Sequence, residues 1–184
     1  MIIGLSGYAQ SGKNTVAEIL VKQYGFKQVA FADKIKECLY ALNPTIILGY
    51  NAGEIFSLQE IVDTQGWDNA KRNPEVRRLL QTFGAEVGRD LIDPNLWVEM
   101  TMSGLNRDEN TVITDVRFPN EHEAIKWAYG EIWRVERPGY GPINNHISET
   151  ALDKHTFDRI IENSGGIPDL VLRVAEELDG LVIK

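Results

Sequence analysis

The sequence predicts an α/β domain with a mainly parallel sheet, and three observations carry that prediction. Short apolar runs alternate with helix-periodic stretches along its 184 residues, the order of βαβ units. The first run, MIIGLS, breaks into a glycine-rich turn and becomes helical in GYAQSGKNTVAEIL. Hydrophobic residues make up 43% and charged residues 25%, which suits a globular chain with a single core.

In chain order, strands are expected at Met1–Ser6, Lys27–Phe31, Thr111–Asp115, Glu131–Glu136 and Asp158–Glu162. From Thr15 onward Val16, Ile19, Leu20 and Tyr24 recur at helical spacing. The chain between Asp33 and Asn110 is too long for a simple crossover, so a helical insertion is expected at about 33–110. Inside it a helix is expected from Glu75 to Asp90, with Val76, Leu79, Leu80 and Phe83 inward. The stretch Asn43 to Asn73 gives only a short helix near Ser57–Thr64. The last helix has Pro168 in its first turn and places Leu170, Val171, Val174, Ala175 and Leu178 on one face.

The net charge of −8 argues against a nucleic-acid binder, which needs a long phosphate-attracting surface. No apolar run approaches the ~20 residues that span a bilayer, and the N-terminus lacks a signal-peptide pattern. Cys38 has no second cysteine to pair with, which fits a reducing, cytoplasmic setting. A homodimer is left open.

Gly7, Gly12 and Lys13 satisfy the phosphate-loop pattern G-x-x-x-x-G-K-[ST] up to its last position, where Asn14 stands and Thr15 follows. The glycines let successive N–H groups point at one anion, the following helix adds its positive end, and Lys13 supplies a mobile charge. A surface turn with an unrelated lysine would look similar, but the strand before and the helix after are what the motif requires. In TVITDVRFPNE, Asp115 ends a buried strand where a magnesium-orienting carboxylate belongs, and Arg117 shares that rim. The plain alternative is a carboxylate capping the helix near Pro119. Glu121 serves equally well as a first-turn helix acid. Lys34, Lys36, Arg77 and Arg78 read as a solvated face or, beside a nucleotide site, as clamps for a second phosphate. His122, His146 and His155 have no metal-ligand spacing, and no G-x-S-x-G nucleophile motif occurs.

Together, GYAQSGKNT, DKIKECL, RRLLQTFGAEVGRDLIDPNLWV, VITDVRFPNEHEA, RVERPG, HISE and IIENSGG resemble the bacteriophage-type deoxynucleoside monophosphate kinases, in the right order over nearly the whole chain. The resemblance implies a P-loop nucleotide kinase fold, a five-stranded parallel sheet flanked by helices with a helical acceptor-binding insertion. It implies ATP held by Ser11, Gly12, Lys13, Asn14 and Thr15, and Mg2+ held through water by Thr15 and Asp115. Lys36, Arg77, Arg78, Gly84, Trp97, Asp115, Arg117 and Glu121 would line the pocket of a deoxynucleoside monophosphate. Lys13, Asp115, Arg117 and Arg137 would serve transfer, with Arg137 on a lid loop at 137–147 that holds two glycines and two prolines. The implied reaction carries the ATP γ-phosphoryl group to the acceptor and leaves ADP. A phosphomevalonate- or dephospho-coenzyme A-type kinase would share the loop but not the acceptor pocket. A GTPase would need N-K-x-D, which is missing, and a nucleotide-binding protein without turnover is the remaining reading.

Overall fold

The computed structural model describes residues 1–48, 53–142, 147–179 and 181. Five strands, β1 (Ile2–Ser6), β2 (Lys27–Val29), β5 (Thr111–Ile113), β6 (Glu131–Glu136) and β7 (Arg159–Glu162), form one sheet in the order β2-β5-β1-β6-β7. Every pairing in it is parallel, with Ile3 opposite Val112 on one side and Glu131 on the other. The first strand is therefore central, and the loop that follows it opens at the carboxyl edge of the sheet, where α/β proteins bind ligands.

The pleat decides which helix packs where. Ile3 and Leu5 are fully buried on one face with Val16, Ala17 and Leu20 of α1 (Lys13–Tyr24) and Leu170, Val174 and Leu178 of α8 (Ile167–Leu178). On the opposite face Gly4 lies against Ile125 of α6 (Pro119–Trp127), so close that a Cβ there would come within 2.7 Å of it. Two compact units divide the chain: Met1–Phe31 with Thr101–Lys184, which holds this sheet, and Ala32–Met100.

The second unit has its own core of Leu39, Ile46, Leu58, Ile61, Ala70 and Val76. It contains α2 (Phe31–Leu42) from its second residue on, a two-stranded antiparallel sheet of β3 (Thr45–Leu48) and β4 (Glu54–Ser57), α3 (Leu58–Ala70) and α4 (Pro74–Gln81). The hairpin lies in the stretch Asn43–Asn73, where the sequence reading gave only a short helix, and adds strands to the expected helical insertion. Its alternation is short, and only one face is covered: Ile46 is 0% exposed while Ile47 is 61% exposed. The helix expected at Ser57–Thr64 exists and is longer, opened by a reciprocal cap in which Ser57 Oγ accepts the Glu60 N–H and Glu60 accepts the Ser57 N–H. Gly66, with φ 73°, kinks it.

The helix expected at Glu75–Asp90 divides. α4 closes at Gln81, and Thr82–Ile92 continues with the wider π-type turn. The physical reason lies in the glycines. A Cβ at Gly88 would sit 2.4 Å from the Trp97 ring, and the Gly84 carbonyl accepts the Trp97 indole N–H at 2.8 Å. Trp97, on α5 (Leu96–Ser103), is 2% exposed. Phe31, expected to end a strand, instead begins α2, because its N–H is taken by Asp115 Oδ1 at 2.8 Å. The lid expectation at 137–147 falls partly on 143–146, outside the described residues.

Candidate active site

The loop between β1 and α1 is shaped by what surrounds it. Gly12 has φ 108°, a left-handed conformation that glycine adopts without steric cost, and a Cβ there would meet Asn163 Nδ2 at 2.4 Å. Asn163, just past β7, donates from Nδ2 to the Ser11 carbonyl at 2.8 Å, while its own N–H reaches the Glu136 carbonyl at 2.7 Å. The exits of β6 and β7 thus clasp the loop. No side chain caps the start of α1, which leaves its first N–H groups pointing out of the helix end. Ser11 Oγ is buried with no hydrogen-bond partner among the described residues.

Lys13 curls over this loop, its Nζ donating to the Gly7 carbonyl at 2.6 Å and the Tyr8 carbonyl at 2.8 Å. Burial, then the charge of Arg117, lowers its pKa to about 8; Arg134 pushes the same way, while Glu149 and Asp115 oppose. These charges place the exit of β5, the interior of β6 and the short helix α7 (Ile147–Thr150) in the electrostatic surroundings of one lysine.

Asp115 caps a helix start by accepting the Phe31 N–H at the head of α2. The helix near Pro119 is closed by Glu121, which is 2% exposed and accepts the N–H groups of Arg117 at 2.7 Å and Phe118 at 3.0 Å. Glu121 is thereby a first-turn acid that fixes the loop carrying Asp115 and Arg117. The Arg117 guanidinium meets Glu149 Oε1 at 3.2 Å. Arg137 is exposed and stacks on Tyr140, 4.6 Å from the ring centroid.

In the second unit, Lys36 pairs with Asp33 at 2.7 Å and Arg78 grips Glu75 through two hydrogen bonds at 2.8 and 2.7 Å. Arg77 and Arg78 are exposed, and Gly84 and Trp97 are buried against each other.

Three residues escaped the sequence reading. Arg134, 6% exposed on β6, lies 4.6 Å over the Tyr8 ring and 5.2 Å over Phe157, and pairs with Asp153 at 3.2 Å. It thus stacks on a residue of the phosphate loop, and the Tyr8 phenol is pushed up in pKa by burial and by Asp153. An arginine among the apolar residues inside the strand, IWRV within EIWRVE, is the signal that would have found it. Asn163 and Glu149 sat inside quoted motifs, IIENSGG and HISE, with nothing local to mark their role.

A phosphate loop on the central strand of a five-stranded parallel sheet defines the class: a P-loop nucleotide-binding protein. The chain belongs to the deoxynucleotide monophosphate kinase family, whose model matches residues 49–174. A putative deoxynucleotide monophosphate kinase of Acanthamoeba polyphaga mimivirus is 29% identical to it, over 97% of this chain and 96% of that one. The deoxynucleotide monophosphate kinase of Enterobacteria phage T4 is 22% identical, over 96% of this chain and 98% of its own. Among solved structures, shikimate kinase from Aquifex aeolicus vf5 covers 98% of this chain and 97% of its own at 14% identity and a TM-score of 0.49, too distant to bear on the acceptor. As a family member the chain is a phosphotransferase with a nucleotide substrate. Among the described residues no helix is long and apolar enough to cross a membrane.

Proposed function

We propose that the chain transfers the γ-phosphoryl group of ATP to a deoxynucleoside monophosphate, giving the diphosphate and ADP in the cytoplasm. The observation that carries this is the phosphate loop with Gly12 and Lys13 at the carboxyl edge of the parallel sheet, in a chain of the deoxynucleotide monophosphate kinase family. The acceptor phosphate loses its second proton with a pKa of ~6, so at pH 7 its oxygen is already a nucleophile. The protein's task is to hold two polyanions in line and to neutralise charge on the transferred group.

In this reading residues 11–15 cradle the ATP phosphates. Lys13 trades its two carbonyl partners for phosphate oxygens. Arg117 faces the transferred group, and Asp115 orients the donor side. Lys36, Arg77, Arg78, Gly84 and Trp97 line the pocket of the acceptor. Arg137 leaves Tyr140 as the lid segment closes.

The donors near Lys13 suit Mg2+: a carboxylate on Asp115, a hydroxyl on Thr15 and an amide on Asn14, all offering oxygen. Such an ion takes one or two protein carboxylates and completes its shell with phosphates and water. When bound it would offset negative charge on the transferred group.

The test is a phosphoryl-transfer assay with ATP and Mg2+ across every natural nucleoside and deoxynucleoside monophosphate. Turnover that requires a deoxynucleoside monophosphate supports the proposal. ATP binding without acceptor-dependent turnover, or turnover only with a non-nucleotide acceptor, overturns it.

A further inference from the structure

Arg117 is held at both ends by acids. Its backbone N–H is fixed by Glu121, itself buried, while its guanidinium meets a carboxylate from a distant part of the chain, Glu149. The Glu149 side chain is only 10% exposed, against 42% for Arg117. One of its oxygens, Oε1, accepts from Arg117 at 3.2 Å; the other, Oε2, is buried with no hydrogen-bond partner among the described residues.

A buried carboxylate with an unused oxygen is costly, because burial removes water that nothing replaces. An apolar side chain would pack at that place more cheaply. The acid therefore serves something other than the stability of α7. Arginine is long and rich in rotamers, and ordering it on a ligand costs conformational entropy. A carboxylate that has already ordered the guanidinium removes much of that cost at the moment of binding.

We infer that Glu149 is a positioning residue that sets the guanidinium of Arg117 for phosphate, acting through Arg117 rather than on the substrate. Its place in the reaction rests on the kinase reading above. Its hold on Arg117 does not. Oε2 leaves the pair able to close from a single contact into a two-point fork, the geometry in which arginine and carboxylate fit best.

Two measurements test this. In the ligand-free protein, nitrogen relaxation of the Arg117 Nε–H group reports its order; Glu149→Ala is expected to mobilise it, and Glu149→Gln, which keeps an oxygen acceptor, to mobilise it less. In the transfer assay, Glu149→Ala is expected to lower kcat/KM for the acceptor roughly tenfold, to leave ATP KM unchanged, and to have no further effect once Arg117 is alanine. A loss of equal size with and without Arg117 overturns the inference. So does an unchanged Arg117 signal, or a loss that follows a fall in melting temperature alone. If the wild-type protein turns over no deoxynucleotide, the kinase reading fails while the relaxation experiment still decides the role of Glu149.

Discussion

Lys13 illustrates how a single side chain answers to conflicting demands. Burial and two arginines favour its neutral form, yet a phosphate contact needs its charge. With a pKa of about 8 it is mostly protonated at pH 7 and loses its proton as pH rises. Activity at low ATP is therefore expected to fall on the alkaline side with a midpoint near that value, and at saturating ATP the midpoint should move up, since bound phosphate favours the charged form. A kcat/KM profile that stays flat to pH 10 would contradict this. Lys13→Ala should abolish transfer with little change in melting temperature, because the side chain lies over a loop and not in the core. Asp115 separates two roles by substitution. Asparagine retains an oxygen for the Phe31 N–H but loses the charge, whereas alanine loses both. If the carboxylate serves Mg2+, Asp115→Asn raises the magnesium requirement with stability unchanged. Asp115→Ala should in addition lose about 1 kcal/mol or more of stability, the usual worth of a cap. A drop in stability without any change in magnesium dependence, in both variants, would leave Asp115 as a cap.

At the scale of elements, the phosphate loop is held by a strand end far away in sequence. Asn163 ties the Ser11 carbonyl to the exit of β7, and Gly12 is glycine partly because Asn163 stands where a Cβ would go. Removing one such hydrogen bond typically costs about 0.5–1.5 kcal/mol. Asn163→Ala is thus expected to weaken ATP binding several-fold, read by calorimetry, while the acceptor KM stays put. Unchanged ATP affinity would mean that the loop keeps its shape without the clasp. The π-type turn at Thr82–Ile92 follows the same logic, since its backbone is set by Trp97 lying across Gly84 and Gly88.

At the scale of the molecule, one apolar layer lies between the sheet and the pair α1 and α8. Leu20 is fully buried there, with Ile3, Leu5 and Val174. Leu20→Ala should cost about 2–5 kcal/mol. Against a typical total of about 5–15 kcal/mol that leaves a folded but heat-sensitive protein, whose kinetic constants at low temperature remain near wild type. A melt unchanged within error would show that this layer is not the main support.

The sequence by itself determined the parallel sheet, the phosphate loop and the terminal helix, because each is written in neighbouring residues: an apolar run, glycines at fixed spacing, a 3.6-residue apolar stripe. It also supplied the family, through motifs spread over the chain. Only the tertiary structure decided what those residues touch. Asp115 caps Phe31, 84 positions earlier, and Asn163 grips Ser11, 152 positions away. Arg134 stacks on Tyr8, and Glu149 holds Arg117. The hairpin of β3 and β4 and the widened turn near Gly88 belong to the same group, since each depends on a packing partner. Periodicity records which face of an element is buried, whereas a hydrogen bond between distant residues leaves no trace in local spacing.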